Sequence, residues 1–552
     1  MTSLAAFFES YYRLRPVNAT FTGIHDHDHR LADWSPDGLA SAIDEMRSLR
    51  ASLVSARLPD VRLDQIDQRD RELAIAFLDV QIAEHESDRF QRGNPSLAAG
   101  EAIFGLISLM TRPFAPVAER ADAAIARLTA IPMFLEGARR SIATAVPGEW
   151  RVKCRRECDG AQCLLGDGLR RWIAVESIDD RRADHLTRAG TQAAAAFDHF
   201  RAWLEAGAGD TSGDGYACGS ALFDLLLARG HWCDRPRAEL AAEAGDALDA
   251  ALDRLQTRAC ADAAGGWVDV EERLARAHPD IDDYLATYQR VWDACRERAE
   301  AADLVTWPDY PIRYVPMPLH TREAAPFLYY LFYRSPAPFD RLPIHDYVVT
   351  PIDPDMPAGE QRRRLRAANT SVITLNHVVH HGAIGHHVQN FYAYAGASEI
   401  GRVAAVDCAS RIGMFLGGTM AEGWACYATD LMDEIGFLTA DQSLAQQHTR
   451  ARLLGRAVVD IGLHEGSLTF DQAVAIYRDR IGMSSDAARA EVCKNSMFPA
   501  TAVMYWLGTE SLHALRRERE RIEGAQFSLR RFHDRVLSFG SIPVPLLAKV
   551  YA

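Results

Sequence analysis

Apolar residues recur every three or four positions along much of the chain, and this spacing predicts amphipathic helices. The clearest cases are Thr191–Gly207, Ala238–Ala259 and Asp280–Leu304. These segments are also rich in Ala, Leu, Arg and Glu, which have high intrinsic helix propensity. Because such segments dominate the sequence, the pattern predicts a mostly α-helical protein.

Strict alternation of apolar and polar residues, which is typical of half-buried strands, is rare in this chain. Ile312–Leu319 and His345–Ile352 are the best candidates, and both precede a histidine-rich segment. We therefore expect a small β element at this point. Clusters of Gly, Ser, Asp and Pro predict loops at 206–220, 333–343 and 349–360.

Length and charge narrow the class of protein. The 552 residues can bury a large core, so we predict one large helical unit over 1–552, either undivided or formed of two lobes around a cleft. The formal net charge of −14 argues against nucleic acid as a partner, because phosphate binding requires a basic surface. Composition leaves the oligomeric state undetermined.

Two further observations bear on the compartment. The N-terminus lacks the basic start and apolar stretch of a signal peptide, and no apolar run reaches the ~20 residues of a membrane helix. The ten cysteines are scattered, and Cys154, Cys158 and Cys163 do not have the spacing of a zinc site. We expect a cytoplasmic protein with reduced thiols and no membrane partner.

The stretch NHVVHHGAIGHHVQ, residues 376–389, contains an unusual concentration of imidazole, the commonest metal-ligating side chain. Its histidines are His377, His380, His381, His386 and His387. At α-helical spacing, His377 and His381 share a face, whereas His380 and His386 diverge. Gly382 and Gly385 permit a bulge that would return His386 to His380, so both pairs remain candidates.

A carboxylate downstream offers a third ligand. Glu422 precedes Trp424, Tyr427 and Leu431, which with Met420 are spaced for one buried helix face. A carboxylate in such surroundings needs a partner, and a metal, an arginine or a helix N-terminus would serve. Two histidines and a glutamate form a common catalytic zinc set, so zinc is the expected metal and iron the alternative.

Two motifs resemble those of the bacterial proteins grouped as domain of unknown function 885, which are related to gluzincin metallopeptidases. HHGAIGHHVQ (380–389) is similar to the family's His-Glu-x-x-Pro-Gly-His-His-x-Gln, and EGWACYAT (422–429) to its Glu-Gly-Trp-Ala-x-Tyr-Ala-Glu. Segments 7–35, 499–516 and 532–547 also resemble parts of the family, so the resemblance extends over nearly the whole chain.

The resemblance implies an elongated, mostly helical fold with a deep central cleft. It implies that His380, His386 and Glu422 are metal ligands, that Tyr505 stabilises an oxyanion, and that Arg516 contacts a substrate carboxylate. The implied activity is hydrolysis of an amide, peptide or related small molecule by metal-activated water.

The chain departs from the family pattern at four positions. His381 replaces the glutamate that acts as general base, and Ile384 replaces the motif's proline. Thr429 and Thr501 replace a glutamate and a glutamine. A positioned base contributes roughly 10²–10⁴-fold to rate, so His381 is a substitute base, a further metal ligand, or a sign that hydrolysis is lost.

Three functions therefore compete. The first is a metal-dependent hydrolase with His381 moving protons and Tyr505 stabilising the oxyanion. The second is a non-haem iron oxygenase, which also uses two histidines and a carboxylate. The third is a non-catalytic protein that binds a ligand, and retention of all three ligand positions argues against it.

Overall fold

The computed structural model describes residues 3–55, 65–142, 145–207, 215–262, 265–328, 337–340, 345–406 and 410–551. The chain divides into two compact units, which are described here one at a time. The first comprises Met1–Tyr216, Met317–Leu331 and Pro336–Leu342, and the second Ala217–Pro316, Phe332–Ser335 and Pro343–Ala552.

The first unit is helical throughout its described part, with helices numbered in chain order along the whole protein. They are α1 (Ser3–Leu14), α2 (Pro16–Thr22), α3 (Pro36–Ser55), α4 (Gln65–Glu86), α5 (Pro95–Met110), α6 (Val117–Ser141), α7 (Gly148–Cys163), α8 (Leu169–Val175), α9 (Asp180–Glu205) and α14 (Leu319–Arg322). A π-helical turn, Leu164–Gly168, joins α7 to α8, and a 3₁₀ turn covers Ala325–Phe327.

The core of the first unit forms around α5, whose sequence is almost entirely small and apolar. Ile107 of α5, Leu128 of α6, Trp172 of α8 and Phe197 of α9 are all buried in one cluster. The side chain of Asn94 caps α5 by accepting a hydrogen bond from the Ser96 amide at 3.1 Å, which satisfies a donor that the helix cannot pair.

The second unit contains the remaining helices. They are α10 (Ser220–Leu225), α11 (Arg237–Asp262), α12 (Trp267–Arg276), α13 (Tyr284–Ala301), α15 (Ala358–Ala367), α16 (Thr370–Val372), α17 (His386–Ala395), α18 (Glu399–Ala404), α19 (Gly418–Glu434), α20 (Ala440–Glu465), α21 (Phe470–Ala475), α22 (Ser485–Met497), α23 (Met504–Glu523), α24 (Leu529–Ser538) and α25 (Val544–Val550). Segments Leu226–Gly230, Ile373–Gly382, Gly413–Gly417 and Ile476–Arg480 are π-helical, and Ile281–Asp283 and Gly524–Gln526 are 3₁₀ turns.

The mostly α-helical fold and the three helices predicted from periodicity are confirmed. They are α9, α11 and α13, and each packs the predicted apolar face inward. Helix α20 begins with a capping box at Thr439. The Thr439 hydroxyl accepts a hydrogen bond from the Gln442 amide, and the Gln442 side chain accepts one from the Thr439 amide.

The predicted β element is also present. Strands β1 (Ile312–Pro316) and β2 (His345–Val349) pair in parallel, with Tyr314 opposite Tyr347. Both tyrosines are buried on the same face of this two-stranded sheet. The element therefore supplies an aromatic surface within the second unit, and it lies before the histidine-rich segment in the chain, as predicted.

The predicted loops are seen in part. Residues 215–219 and 350–357 are not helical, whereas 208–214, 333–336 and 341–343 lie outside the described residues. Cysteines of the described part carry free thiols, and Cys154 and Cys158 are buried on one face of α7. Among the described helices, none combines the length and apolar character needed to cross a bilayer.

Candidate metal centre

The histidine-rich segment is a π-helix from Ile373 to Gly382. In a π-helix the backbone hydrogen bonds reach five residues back, and such segments occur frequently at functional sites. Nδ1 of His381 lies 2.6 Å from the carbonyl oxygen of Asn376, five residues earlier. Because the backbone of this segment is π-helical, the α-helical spacing that paired His377 with His381 does not apply to it.

A break at two glycines separates the π-helix from α17, between His381 and His386. A Cβ atom on Gly385 would lie 1.9 Å from the carbonyl oxygen of His380, and one on Gly382 would lie 2.2 Å from the hydroxyl of Tyr314. The indole of Trp424 fixes the break by donating to the Ile384 carbonyl at 2.9 Å. Because only glycine fits, α17 can begin at His386 beside the preceding turn.

This break brings His386 to His380, as the bulge hypothesis predicts. Their ring centroids are 4.9 Å apart, and the two rings meet edge to face. His381 joins them, with ring centroids 4.7 Å from His380 and 5.3 Å from His386. One potential ligand atom from each of the three rings lies within 4.8 Å of the others.

Glu422 of α19 faces the same point. Its Oε2 lies 3.4 Å from Nε2 of His380 and 3.5 Å from Nε2 of His386, yet this buried oxygen makes no hydrogen bond. Burial raises the pKa of Glu422, but the two histidines outweigh it and hold that pKa well below its usual range. The carboxylate is therefore ionised and directed at two imidazole nitrogens.

Close packing of α19 against α23 adds Tyr505 to the site. A Cβ atom on Gly508 would lie 2.0 Å from the Thr419 carbonyl oxygen, and one on Gly423 would lie 2.6 Å from the Gly508 backbone. Facing glycines thus let the two helix backbones approach. The Tyr505 hydroxyl donates to Oε1 of Glu422 at 3.0 Å, so both oxygens of this carboxylate face the site.

The turn before α23 is held by a buried aspartate. Asp460 accepts hydrogen bonds from the amides of Ala500, Ala502 and Val503 at 2.9–3.0 Å. Burial raises the pKa of Asp460 to about 7 despite these bonds. Ala500 has φ 61°, a left-handed conformation that needs such support. Asp460 therefore fixes the direction in which Tyr505 enters the site.

His381 is neutral near pH 7. Burial, together with the neighbouring His380 and His386, lowers the pKa of His381 well below its usual value. Because Nδ1 points to the Asn376 carbonyl, it carries the proton, and Nε2 carries the lone pair. The ring can therefore accept a proton, or ligate a metal, through Nε2.

The two outer histidines of the segment contact other groups. Nδ1 of His377 lies 3.0 Å from the Tyr288 hydroxyl, and Nε2 of His387 lies 2.7 Å from the Tyr310 carbonyl oxygen. Burial lowers the pKa of both histidines to about 4. The alternative ligand pair would require His377, which lies outside the converging group found among the described residues.

Arg516 is not brought to this centre. It lies 11 residues after Tyr505 on α23, which places it ~16 Å further along the helix axis. Its guanidinium binds Glu434 at 2.8 Å and Glu520 at 2.9 Å.

The positive side chain beside Tyr505 is instead Arg456 of α20, whose Cζ lies 4.8 Å from the Tyr505 ring centroid. The sequence gives no signal for Arg456, because arginines on an amphipathic helix ordinarily face solvent.

Ile384, Thr429 and Thr501, at which the sequence analysis expects further departures, form local contacts. Ile384 is buried at the glycine break, where its carbonyl accepts from Trp424. Thr429 and Thr501 turn their hydroxyls to nearby backbone, donating to the carbonyls of Ala425 at 2.9 Å and Phe498 at 2.6 Å. Each threonine satisfies itself locally, so neither needs a partner in the centre.

Two solved structures share this fold. They are "putative lipoproteins" from Shewanella oneidensis and Colwellia psychrerythraea, with TM-scores of 0.78 each and 21% and 17% identity. In both cases the match covers 99% of this chain and 98% of the other. No curated protein matches the chain. The model of a family described as "Bacterial protein of unknown function (DUF885)" matches residues 16–550, and the chain therefore belongs to that family.

Proposed function

We propose that this protein is a metal-dependent hydrolase whose metal is held by His380, His386 and Glu422. One observation carries the proposal: Oε2 of Glu422 lies 3.4 and 3.5 Å from the two imidazole nitrogens. A tetrahedral zinc ion with bonds of ~2.0–2.2 Å holds its ligand atoms ~3.4 Å apart, so both distances from the carboxylate oxygen match the spacing of a zinc set.

The chemistry of the donors supports the same conclusion. A buried, ionised carboxylate oxygen without a hydrogen bond is costly, and a cation is the partner that would offset the cost. The Glu422 side chain is 20% exposed and that of His386 only 6%, so the centre is mostly shielded from solvent. When bound, zinc would polarise a carbonyl and activate water for attack on it.

Tyr505 is suited to stabilise the oxyanion formed by that attack. Its hydroxyl lies at the centre, 3.0 Å from Glu422, the Arg456 guanidinium covers its ring, and Asp460 holds the turn that precedes its helix. To donate to the oxyanion the hydroxyl must turn away from Glu422, and a donor of this kind is worth ~10²–10³ in rate.

His381 is suited to move the proton. With Nδ1 bonded to the Asn376 carbonyl, Nε2 can take a proton from the attacking water and pass it to the leaving amine. A gluzincin relationship, suggested by the motifs at 380–389 and 422–429, would place His381 at the position of the usual glutamate base. An imidazole would serve the same step with a different reach and a positive charge when protonated.

Metal analysis of the purified, untagged protein tests the proposal. We expect near-stoichiometric zinc from cells grown in air and under anaerobic conditions with added iron. Glu422→Gln and His380→Ala should lose the zinc, whereas His377→Gln, a change in the same π-helix, should keep it. Iron in place of zinc would favour oxygen chemistry, and a metal-free protein would contradict the proposal.

Hydrolysis itself requires a second measurement. The zinc-loaded protein should release amine from a panel of N-acetylated dipeptides and their amides, and a chelator should abolish this release. Zinc bound without any hydrolysis by the wild type would count against the enzyme and leave a metal-binding protein.

A further inference from the structure

Helix α20 carries three arginines within two turns, and two of them have carboxylate partners. Arg450 binds Glu510 at 2.6 Å, and Arg456 binds Glu491 at 2.6 Å. Such pairing is expected, because a partly buried cation is stable only when its charge is compensated.

Arg452 has no such partner. Among the described residues it forms no ion pair, and its buried Nε has no hydrogen-bond acceptor. Its guanidinium nevertheless remains charged at any physiological pH. Burial lowers the pKa of Arg452 and the neighbouring Arg456 lowers it further, whereas the charge of Glu491 raises it in part. A buried cation without an ion pair of its own adds little to stability, so the presence of this side chain needs another explanation.

The location of Arg452 suggests the explanation. It lies one helical turn before Arg456 and on the same face of α20. Arg456 covers the ring of Tyr505, and the Tyr505 hydroxyl bonds Glu422. The positive charge therefore lies next to the group proposed to stabilise the oxyanion, and the single carboxylate of Glu491 is shared between two guanidinium groups, of which it pairs directly with Arg456.

We propose that Arg452 binds a carboxylate of the substrate beside the metal centre, so that the protein acts on peptides or acylated amino acids with a free carboxylate. This proposal rests on the proposed hydrolase. Arginine suits the role, because its planar guanidinium can bind both oxygens of a carboxylate. This carboxylate is either the C-terminal carboxylate of a peptide or that of an acidic side chain, and Arg452 would bind either one.

Calorimetric titration of the full-length, chelator-treated protein tests the anion site without the metal. The probes are N-acetylphenylalanine, its neutral amide, and N-acetylglutamate α-amide. We expect one of the carboxylate probes to bind at least about tenfold more tightly than the neutral amide, the range of a charge-assisted hydrogen bond. The better of the two identifies a terminal or a side-chain carboxylate.

Arg452→Gln should reduce this preference to within about twofold while leaving binding of the neutral amide unchanged. Arg516→Gln is the matched control, because its guanidinium lies on another helix with two carboxylate partners, and it should keep the full preference. Equal affinity of the wild type for charged and neutral probes would overturn the proposal, as would loss of the preference in Arg516→Gln alone.

A second pair of probes links the two sites. Succinic monohydroxamate and its neutral amide analogue both carry a zinc-chelating group, and the zinc-loaded protein should prefer the charged compound in an Arg452-dependent way. Failure of both hydroxamates to bind, with the preference of the chelated protein intact, would refute the metal centre and not the anion site. A charged hydroxamate that binds no better than the neutral one would refute their proximity.

Discussion

Each unit contains a buried cluster of charged and polar groups, and the two clusters differ in how they are satisfied. In the first unit His25 bridges Asp28 at 2.8 Å and Asp340 at 2.7 Å. Arg127 of the same unit donates to five oxygens, among them the Gly105 carbonyl and the Thr20 hydroxyl. The charges named here have opposite charges nearby, since Asp340 also pairs with Arg112 at 3.1 Å and Arg127 lies 4.0 Å from Asp28.

In the second unit the cluster lacks this balance. Oε2 of Glu422 faces two imidazoles without a hydrogen bond, and Arg452 has no carboxylate partner. A buried network whose charges pair with one another stabilises the fold. A network in which Glu422 lacks a cation and Arg452 lacks an anion can bind a metal at the first residue and an anionic ligand at the second.

The largest effect is expected on the proposed chemistry. His381→Gln should lower hydrolysis by roughly 10²–10⁴-fold, because it removes the proton-accepting nitrogen, and should retain bound zinc. Parallel measurement of rate and metal content checks this. Zinc loss from His381→Gln would instead place His381 among the ligands, and His381→Glu should restore part of the rate if a base is what the position needs.

The next effect concerns stability. Arg456→Gln should destabilise the protein by about 3–5 kcal/mol, because it leaves Glu491 buried without its partner. Arg452→Gln, one turn away, should lower stability by no more than about 0.5 kcal/mol, because it removes a buried cation that has no ion pair of its own. Urea unfolding of both variants provides the measurement. A large loss in Arg452→Gln would mean that the side chain holds the fold.

Metal should stabilise the second unit selectively. At zinc concentrations 1,000-fold above the dissociation constant, ligand linkage adds about 4 kcal/mol to the free energy of unfolding. Hydrogen exchange should show the gain in Ile373–Gly382 and α19 of the wild type and no gain in Glu422→Gln. Equal protection in both proteins would contradict the ligand assignment.

The smallest effect lies in the first unit and depends on pH. Burial lowers the pKa of His25, but hydrogen bonds to Asp28 and Asp340 outweigh it and raise the pKa to about 9. Protonated His25 therefore stabilises the fold fully below pH 6.5, and this contribution is lost as pH rises towards 9.

The melting temperature of the wild type should exceed that of His25→Gln at pH 6, and the difference should shrink by pH 9. A constant difference across this range would show that the bridge acts through packing, for which the stacked Phe114 ring, 3.9 Å away, is the obvious partner.

Several features could be predicted because they depend on neighbours in the chain. The helices α9, α11 and α13 follow from apolar spacing, and the buried face of α19 follows from Met420, Trp424 and Leu431. The importance of Gly382 and Gly385 also follows from the sequence, since glycine between closely spaced histidines suggests an irregular backbone. The π-helix itself could not be predicted, because no local pattern distinguishes it from an α-helix.

By itself, then, the sequence determined the helical class, the small β element and the candidate residues of the centre, since these depend on periodicity, residue type and motif. Only the tertiary structure decided which side chains meet. Facing glycines on α19 and α23 bring Tyr505 to Glu422, and α20 places Arg456 over the Tyr505 ring while Arg516 binds elsewhere. The physical reason is that the contacts at a site form between distant segments, and their geometry is set by how closely the helices pack.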